Sequence, residues 1–261
     1  MTRNCFFVAE IAQKTGDFEL PRDLSRQLES VLRAKPGDSI ELLDGHGSAW
    51  ECQVTAIRRG IVTVSVLGKV DRPACEPVLP LTLAVGIARP DTMDLIVRQA
   101  TEMGVSRLAL FRAVRSQYGL SGDLAEKKRE RWLRIACEAV CQCGRRVPPQ
   151  IFFFEDLADF LTSLDEDQRG GALKIFALER EPGAGLRSLA ERNDGSTILR
   201  IVAALGPEGG WDKSESSALT LAGFLPVSLG PRTLRMETAA VALISFLQLL
   251  WGDMGEGLSR P

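Results

Sequence analysis

Residues 203–215 read AALGPEGGWDKSE and residues 228–240 read SLGPRTLRMETAA. Each places glycine-rich, turn-forming backbone directly after an apolar run. In the first, the strand-like TILRIVAAL (197–205) ends at Leu205, Gly206-Pro207 turns the chain, and Gly209-Gly210 leave backbone amides bare. Asp212 to Glu215 then carry a capping-box pattern that starts a helix. In the second, LPVSLG (225–230) ends in Gly-Pro, a short loop carries Arg232 and Arg235, and METAAVALISFLQLLW (236–251) reads as a helix. Glu237 and Thr238 in its first turn complement the helix dipole. Taken alone, these are surface arginines and a capping acid. In an open α/β sheet, however, ligands sit outside the carboxyl ends of the strands. Two such loops at neighbouring strand ends predict one cleft built from backbone groups, suited to a flat nucleoside more than to a polyphosphate. The Gly-Lys-Ser/Thr ending of a phosphate-binding loop is missing, which disfavours ATP.

Working outward, LTLAVGIA (81–88), VSRLALFRA and LKIFAL (173–178) are further buried strands. MDLIVRQATEMG (93–104), with Gly104 as a C-cap candidate, and LAEKKRERWLRIACEAVCQCG (124–144) are the helices between them. Apolar strands alternating with helices predict an α/β fold with a parallel sheet covered on both faces. Residues 71–80, DRPACEPVLP, hold three prolines and suit a boundary. Before it, CFFV, DSIELLDG, SAWECQVTAI and GIVTVSVLG read as short strands separated by turns. DLSRQLESVLRA (23–34) sets Leu24, Leu28, Val31 and Leu32 on one helical stripe. The expected division is a small β-rich domain at 1–72 and an α/β domain at 73–261. His46 falls in an Asp-Gly hairpin turn and reads as a turn residue.

The 261 residues are 45% hydrophobic and 25% charged, ordinary for a globular protein. The longest apolar run, Ala239 to Trp251, contains Ser245 and Gln248 and falls short of the ~20 residues that cross a bilayer. No signal peptide is apparent at the start, so a cytoplasmic location without membrane contact is expected. Net charge is −2, but residues 107–146 carry ten Lys/Arg against four acids. That stretch, Arg115, Arg131 and Arg134 included, is either a solvated helix face or a phosphate-facing patch. Three of the six cysteines crowd into CEAVCQC, and with His46 the only histidine no metal site is expected. Cys137 and Cys141 share a helix face and read as small apolar residues.

GPEGGWDKSE followed by GFLPVSLGPRTLRMETAAV resembles the signature of the family that methylates N3 of a uridine in bacterial 16S ribosomal RNA. That family belongs to the SPOUT superfamily of S-adenosylmethionine-dependent methyltransferases. RPDTMDLIVRQATEMGV, AVRSQ and RWLRIACEAVCQCGRRVPPQI extend the resemblance, and CFFV with DGHGSAWECQV resembles the family's N-terminal PUA-like domain. The resemblance implies a C-terminal domain with a trefoil knot, a homodimer, and 16S rRNA or the small ribosomal subunit as partner. It implies S-adenosylmethionine held by Leu178, by Leu205, Gly206, Glu208, Gly209 and Gly210, and by Leu229, Gly230, Leu234, Arg235 and Thr238. Catalytic roles would fall to Arg232, Arg235 and Glu237, and RNA contacts to Arg115, Arg131 and Arg134. The chain departs from the pattern at Met236, in RMET where many relatives carry RTET, and at Trp211, where Phe is usual. A non-catalytic RNA-binding protein and a knotted methyltransferase acting on another RNA remain open alternatives. A nicotinamide-dependent dehydrogenase is disfavoured by the missing G-x-G-x-x-G.

Overall fold

A computed structural model describes residues 4–119, 123–164, 171–179, 185–193 and 198–255, so Thr197 of the expected strand lies outside it. The contacts divide the chain into two units: residues 1–76 with 137–148, and residues 77–136 with 149–261.

The first unit is a five-stranded sheet of β1 (Cys5–Phe7), β2 (Asp17–Glu19), β3 (Ser39–Leu43), β4 (Ala49–Arg58) and β5 (Ile61–Lys69), in the order β1-β3-β4-β5-β2. Alternating residues of the long strands point inward, so Ile40, Leu42, Val54, Val62 and Val64 meet in one core with Leu28. The helix expected at 23–34 is α1 (Arg22–Arg26), continued by a wide π turn over Gln27–Val31. Leu32 N accordingly bonds back five residues to the carbonyl of Gln27. The extra residue in this turn rotates the end of the segment off the stripe. Leu28 is fully buried, whereas Val31 and Leu32 are exposed at 72% and 39%.

Two arginines of the basic stretch belong to this unit's interior. Arg145 and Arg146 are both buried. Glu76 accepts from Arg145 Nε at 3.1 Å and from the backbone of Val147 at 2.9 Å, while Arg146 Nη2 donates to the carbonyl of Arg72 at 2.7 Å. These two cations therefore hold the proline-rich segment and are withdrawn from any phosphate.

The second unit is a six-stranded, all-parallel sheet. Its strands are β6 (Leu81–Gly86), β7 (Arg107–Arg112), β8 (Gln150–Asp156), β9 (Ala172–Ala177), β10 (Arg200–Leu205) and β11 (Leu225–Val227), ordered β11-β9-β10-β6-β7-β8. β8 is not among the expected strands, although Pro148-Pro149 stand directly before this strand with its apolar IFFF run. Among the described residues the helices are α2 (Pro90–Glu102), α3 (Asp123–Cys143, whose last turns count with the first unit), α4 (Leu157–Ser163), α5 (Leu186–Arg192), α6 (Lys213–Leu221) and α7 (Met236–Trp251).

Each central strand feeds two cores. Leu81, Leu83 and Val85 of β6 and Ile201, Ala203 and Leu205 of β10 face α2 and α7, where Ile96, Val97, Leu243 and Leu247 are fully buried. Ala84, Val202 and Ala204 face the other way, toward Leu157 and Phe160 of α4 and Leu219 of α6. Each large side chain so enclosed contributes roughly 1.5–3 kcal/mol of burial. Gln248 of α7 donates to the carbonyl of Met103 at 2.9 Å, tying the last helix to the end of α2. Among the described residues, no helix is long and apolar enough to cross a membrane.

Candidate functional site

A cavity of about 890 Å³ opens at the carboxyl ends of β6, β7, β9, β10 and β11. Its floor is made by close backbone approach. A Cβ built on Gly86, at the end of β6, would stand 2.8 Å from Pro207 Cδ, and one on Gly206 would stand 3.2 Å from the Trp211 ring. Trp211 is locked there by a 2.8 Å bond from Nε1 to the carbonyl of Ala177 and by stacking on Phe111. Its indole thus ties the loop after β10 to the end of β9. Gly210 adopts a left-handed φ of +68°, and its N–H closes the turn onto the carbonyl of Pro207 at 2.8 Å.

The 206–215 loop is held from two neighbouring strand ends. From the loop after β7, Arg115 donates through Nη1 to the carbonyl of Gly209 at 3.3 Å and pairs through Nη2 with Asp212 at 3.5 Å. Bonds from the backbone and hydroxyl of Ser214, together with Arg115, hold the Asp212 carboxyl below its usual range. Buried Glu215 accepts from Val114 N at 2.9 Å and from Asp212 N at 3.0 Å, completing the capping box across two loops. From the loop after β6, Arg89 Nε donates to Glu208 Oε1 at 3.1 Å and Thr92 Oγ1 donates to the same oxygen at 3.4 Å. Arg89 is also the N-cap of α2, which has no side-chain cap of its own. The Glu208 carboxylate therefore serves that helix end from 119 residues away.

The structure brings most of the expected site residues together. Leu178, Leu205, Gly206, Glu208, Gly209 and Gly210 line the cavity on one side, and Leu229, Gly230, Arg232, Leu234, Arg235 and Glu237 on the other. Thr238 is exposed and stands off the lining. Met236 lines the wall in place of a hydroxyl and is buried against the core. Arg232 and Arg235 are exposed, and among the described residues neither guanidinium has a hydrogen-bond or ion-pair partner. Glu237 is half-buried in the first turn of α7, and among the described residues its carboxylate likewise accepts no hydrogen bond. It lines the same cavity as Arg89, whose charge is held chiefly by the hydrogen bond to Glu208.

Of the three arginines expected on RNA, Arg115 lies in the cavity wall and Arg131 donates bidentately to Asp94 on α2. Arg134 is exposed on α3. Arg89, Thr92 and Glu215 escape a local reading, since their partners lie 101 to 119 residues away.

Residues 75–248 match the family described as RNA methyltransferase domain, and residues 30–67 the RNA methyltransferase PUA domain. The chain belongs to the RNA methyltransferase family. The methyltransferase is 31% identical to the "Ribosomal RNA small subunit methyltransferase E" of Synechocystis, over 85% of this chain and 70% of that protein. It is 29% identical to the Bacillus subtilis protein of the same name, over 92% and 94% of the two chains. Among solved structures, that of the Neisseria gonorrhoeae ribosomal RNA small subunit methyltransferase E bound to S-adenosyl methionine superimposes with a TM-score of 0.82 at 27% identity. It covers 97% of this chain and 99% of that one.

Proposed function

We propose that this methyltransferase transfers a methyl group from S-adenosylmethionine to N3 of a uridine in 16S rRNA. The observation that carries the reading is the single cavity at five strand ends, walled by GPEGG and LGPRTLRMET. Relatives named for small-subunit rRNA, and a neighbouring structure solved with S-adenosyl methionine, support it.

The residues present fit that cofactor. A volume of about 890 Å³ lies within the usual range for small-molecule sites. Leu178, Leu205, Leu229 and Leu234 offer apolar walls for a purine, and the backbone of Gly206, Gly209 and Gly210 forms part of the same lining. Glu179, Glu208 and Glu237 are acids of the lining that would favour a cationic ligand, Glu208 being paired with Arg89. When bound, S-adenosylmethionine supplies an electrophilic methyl group and a neutral thioether leaving group.

The chain's own residues handle the proton and the charge. N3 of uracil is a weak acid, so its lone pair becomes a nucleophile once the N3 proton is lost. Glu237, a carboxylate with no competing bond among the described residues, accepts that proton. Arg235 and Arg232 place cations beside the anion that forms on the ring. With the cofactor bound, N3 would take the methyl group as the neutral thioether leaves, and Glu237 would pass its proton to water.

The trefoil knot, a homodimer and a cytoplasmic location belong to the same reading. We assign RNA capture to the β-rich domain at 1–72 and catalysis to 73–261, where the exposed Arg134 is a separate candidate for a phosphate contact. The test is tritium transfer from labelled S-adenosylmethionine to 16S rRNA of a strain lacking the modification, followed by nucleoside identification. Label in N3-methyluridine is the expected result. Label on a ribose or a cytosine overturns the base assignment, and no transfer together with no calorimetric binding overturns the cofactor as well.

A further inference from the structure

Four guanidiniums line the cavity: Arg89, Arg115, Arg232 and Arg235. They differ in how their donors are committed. Arg115 spends both Nη groups on the loop, at Gly209 and Asp212. Arg232 and Arg235 have no partner among the described residues, so each must surrender its full rotamer freedom to engage a ligand. Arg89 is intermediate. Its backbone is set at the start of α2 by Pro90 in the first helical position, and its Nε is held by Glu208, while neither Nη donates to a described residue. The side chain is 67% exposed, so the free end of the fork is accessible at the cavity rim. A planar guanidinium fixed at Nε presents its two remaining nitrogens in a set direction, the arrangement that serves an oxygen carrying developing charge. Preorganised donors of this kind cost no reorganisation when the charge appears.

The neighbourhood gives Arg89 a specific use. Arg89 and Glu237 line the same cavity, so the candidate proton acceptor and this cation are open to one ligand. Loss of the uracil N3 proton spreads negative charge onto the two carbonyl oxygens flanking N3. A group that takes the proton and a cation that takes the oxygen belong on the same ring. We propose that Arg89 is a catalytic residue of the methyl transfer, its free Nη groups bonding a carbonyl oxygen beside N3 of the target uracil. Glu208 is then the positioning residue that aims it through Nε. This rests on the uridine-N3 reading of the site.

The test uses the full chain, 16S rRNA lacking the modification, and variants at both positions. Arg89→Ala is expected to lower kcat about a hundredfold, the usual cost of one preorganised donor to an oxyanion. Calorimetric affinity for S-adenosylmethionine and filter-binding affinity for the rRNA should stay within about twofold, because an interaction made only in the transition state leaves ground-state binding intact. The rising limb of the pH–rate profile should move to higher pH, since the uracil loses its stabilising cation. Arg89→Lys should recover part of the rate. Glu208→Ala should lower kcat, and Glu208→Gln should restore most of it, because the amide oxygen still accepts from Nε. Arg89→Ala with unchanged kcat, with a raised KM alone, or with weakened cofactor binding overturns the proposal. If Arg89→Ala does not fold, Arg89→Lys carries the same decision through its pH profile. Wild-type protein that makes no N3-methyluridine overturns the underlying reading too, an outcome distinct from every variant result.

Discussion

The guanidinium of Arg131 on α3 grips the carboxylate of Asp94 on α2, with Nε 3.0 Å from Oδ1 and 3.1 Å from Oδ2, and Nη2 also donating to Oδ2. Trp132 Nε1 adds a third donor to the same carboxylate at 3.1 Å. The charge pattern of the sequence makes Arg131 a candidate for RNA phosphate, but its fork is filled by an acid of its own chain. The Asp94 carboxyl is held below its usual range, first by the Arg131 hydrogen bonds and then by the Arg131 charge. A group with a depressed folded pKa contributes stability that is present above its unfolded value and lost as pH falls through the folded one. Asp94→Asn should therefore lower the melting temperature at neutral pH, and the gap to wild type should close in acid, below the ordinary aspartate range near ~3.9. Thermal melts between pH 7 and pH 3 check this, and a gap that widens in acid contradicts it.

The arginines of α3 should divide in the same way when RNA binding is measured against salt. Removing one phosphate contact should reduce the slope of log affinity against log salt by roughly 0.7 to 0.9. Arg134, exposed and without a partner among the described residues, should show that reduction when changed to Ala. Arg131→Ala should leave the slope nearly unchanged and reduce stability instead. Equal slopes for Arg134→Ala and wild type would make that part of α3 a solvated face.

Gly209 is expected to tolerate no β-branched side chain. Its Cβ would stand 3.1 Å from Arg115 Cβ and 3.3 Å from the Arg115 carbonyl oxygen, which is backbone and cannot swing aside. Gly209→Val must move the loop that lines the cavity. Overpacking of this kind costs about 1–3 kcal/mol, or roughly 5- to 150-fold in affinity if the strain is borne by the bound state. Calorimetric titration with S-adenosylmethionine measures it, with Gly210→Ala as the comparison where nothing stands in the way but φ is positive.

The cysteines should react in an order set by burial. Burial pushes the Cys52 and Cys137 thiols up to about 11, so at pH 8 both remain protonated. Cys141 is pushed up further by its hydrogen bond with Cys5 and by burial. Cys75 is exposed. Labelling with a thiol reagent at pH 8 should modify Cys75 first and Cys52, Cys137 and Cys141 slowly, as read by peptide mapping.

Much of the second unit is legible in its sequence because strand and helix periods are local properties. LTLAVG, RIVAAL and METAAVALISFLQLLW carry their burial in their own order, and Gly-Pro after a strand marks where a cavity opens. The side-chain partners are not local. Glu208 reads as one more loop residue until α2 is seen beside it, and Arg145 and Arg146 read as surface charge until Glu76 and the Arg72 carbonyl are found beside their guanidiniums. In the same way Val31 and Leu32 fall on an apolar stripe only if the helix is regular, and the π turn over Gln27–Val31 adds a residue that no local composition signals. Composition counts charges, whereas only the fold decides which of them remain free to meet RNA.

Glu237 and Arg235 give the sharpest division between chemistry and binding. Both line the cavity, and among the described residues neither side chain makes a hydrogen bond or ion pair that a replacement would break. Glu237→Gln keeps the size and polarity at the first turn of α7 while removing the proton acceptor. Loss of a positioned general base typically costs 10²- to 10⁴-fold in rate. The variant should thus fall by about that range in kcat at neutral pH and regain part of the loss as pH rises toward the uracil N3 pKa, where solvent removes the proton. Arg235→Ala should also lower kcat, yet its deficit should persist at high pH, because the anion still lacks its cation once formed. In both variants affinity for S-adenosylmethionine should change less than kcat, since each group acts on the substrate ring. Steady-state rates across pH, with calorimetry on the same preparations, separate the two roles. A Glu237→Gln deficit that stays constant across pH would assign the proton to another acceptor, and a cofactor affinity that falls in step with kcat would return both residues to the wall of the cofactor site.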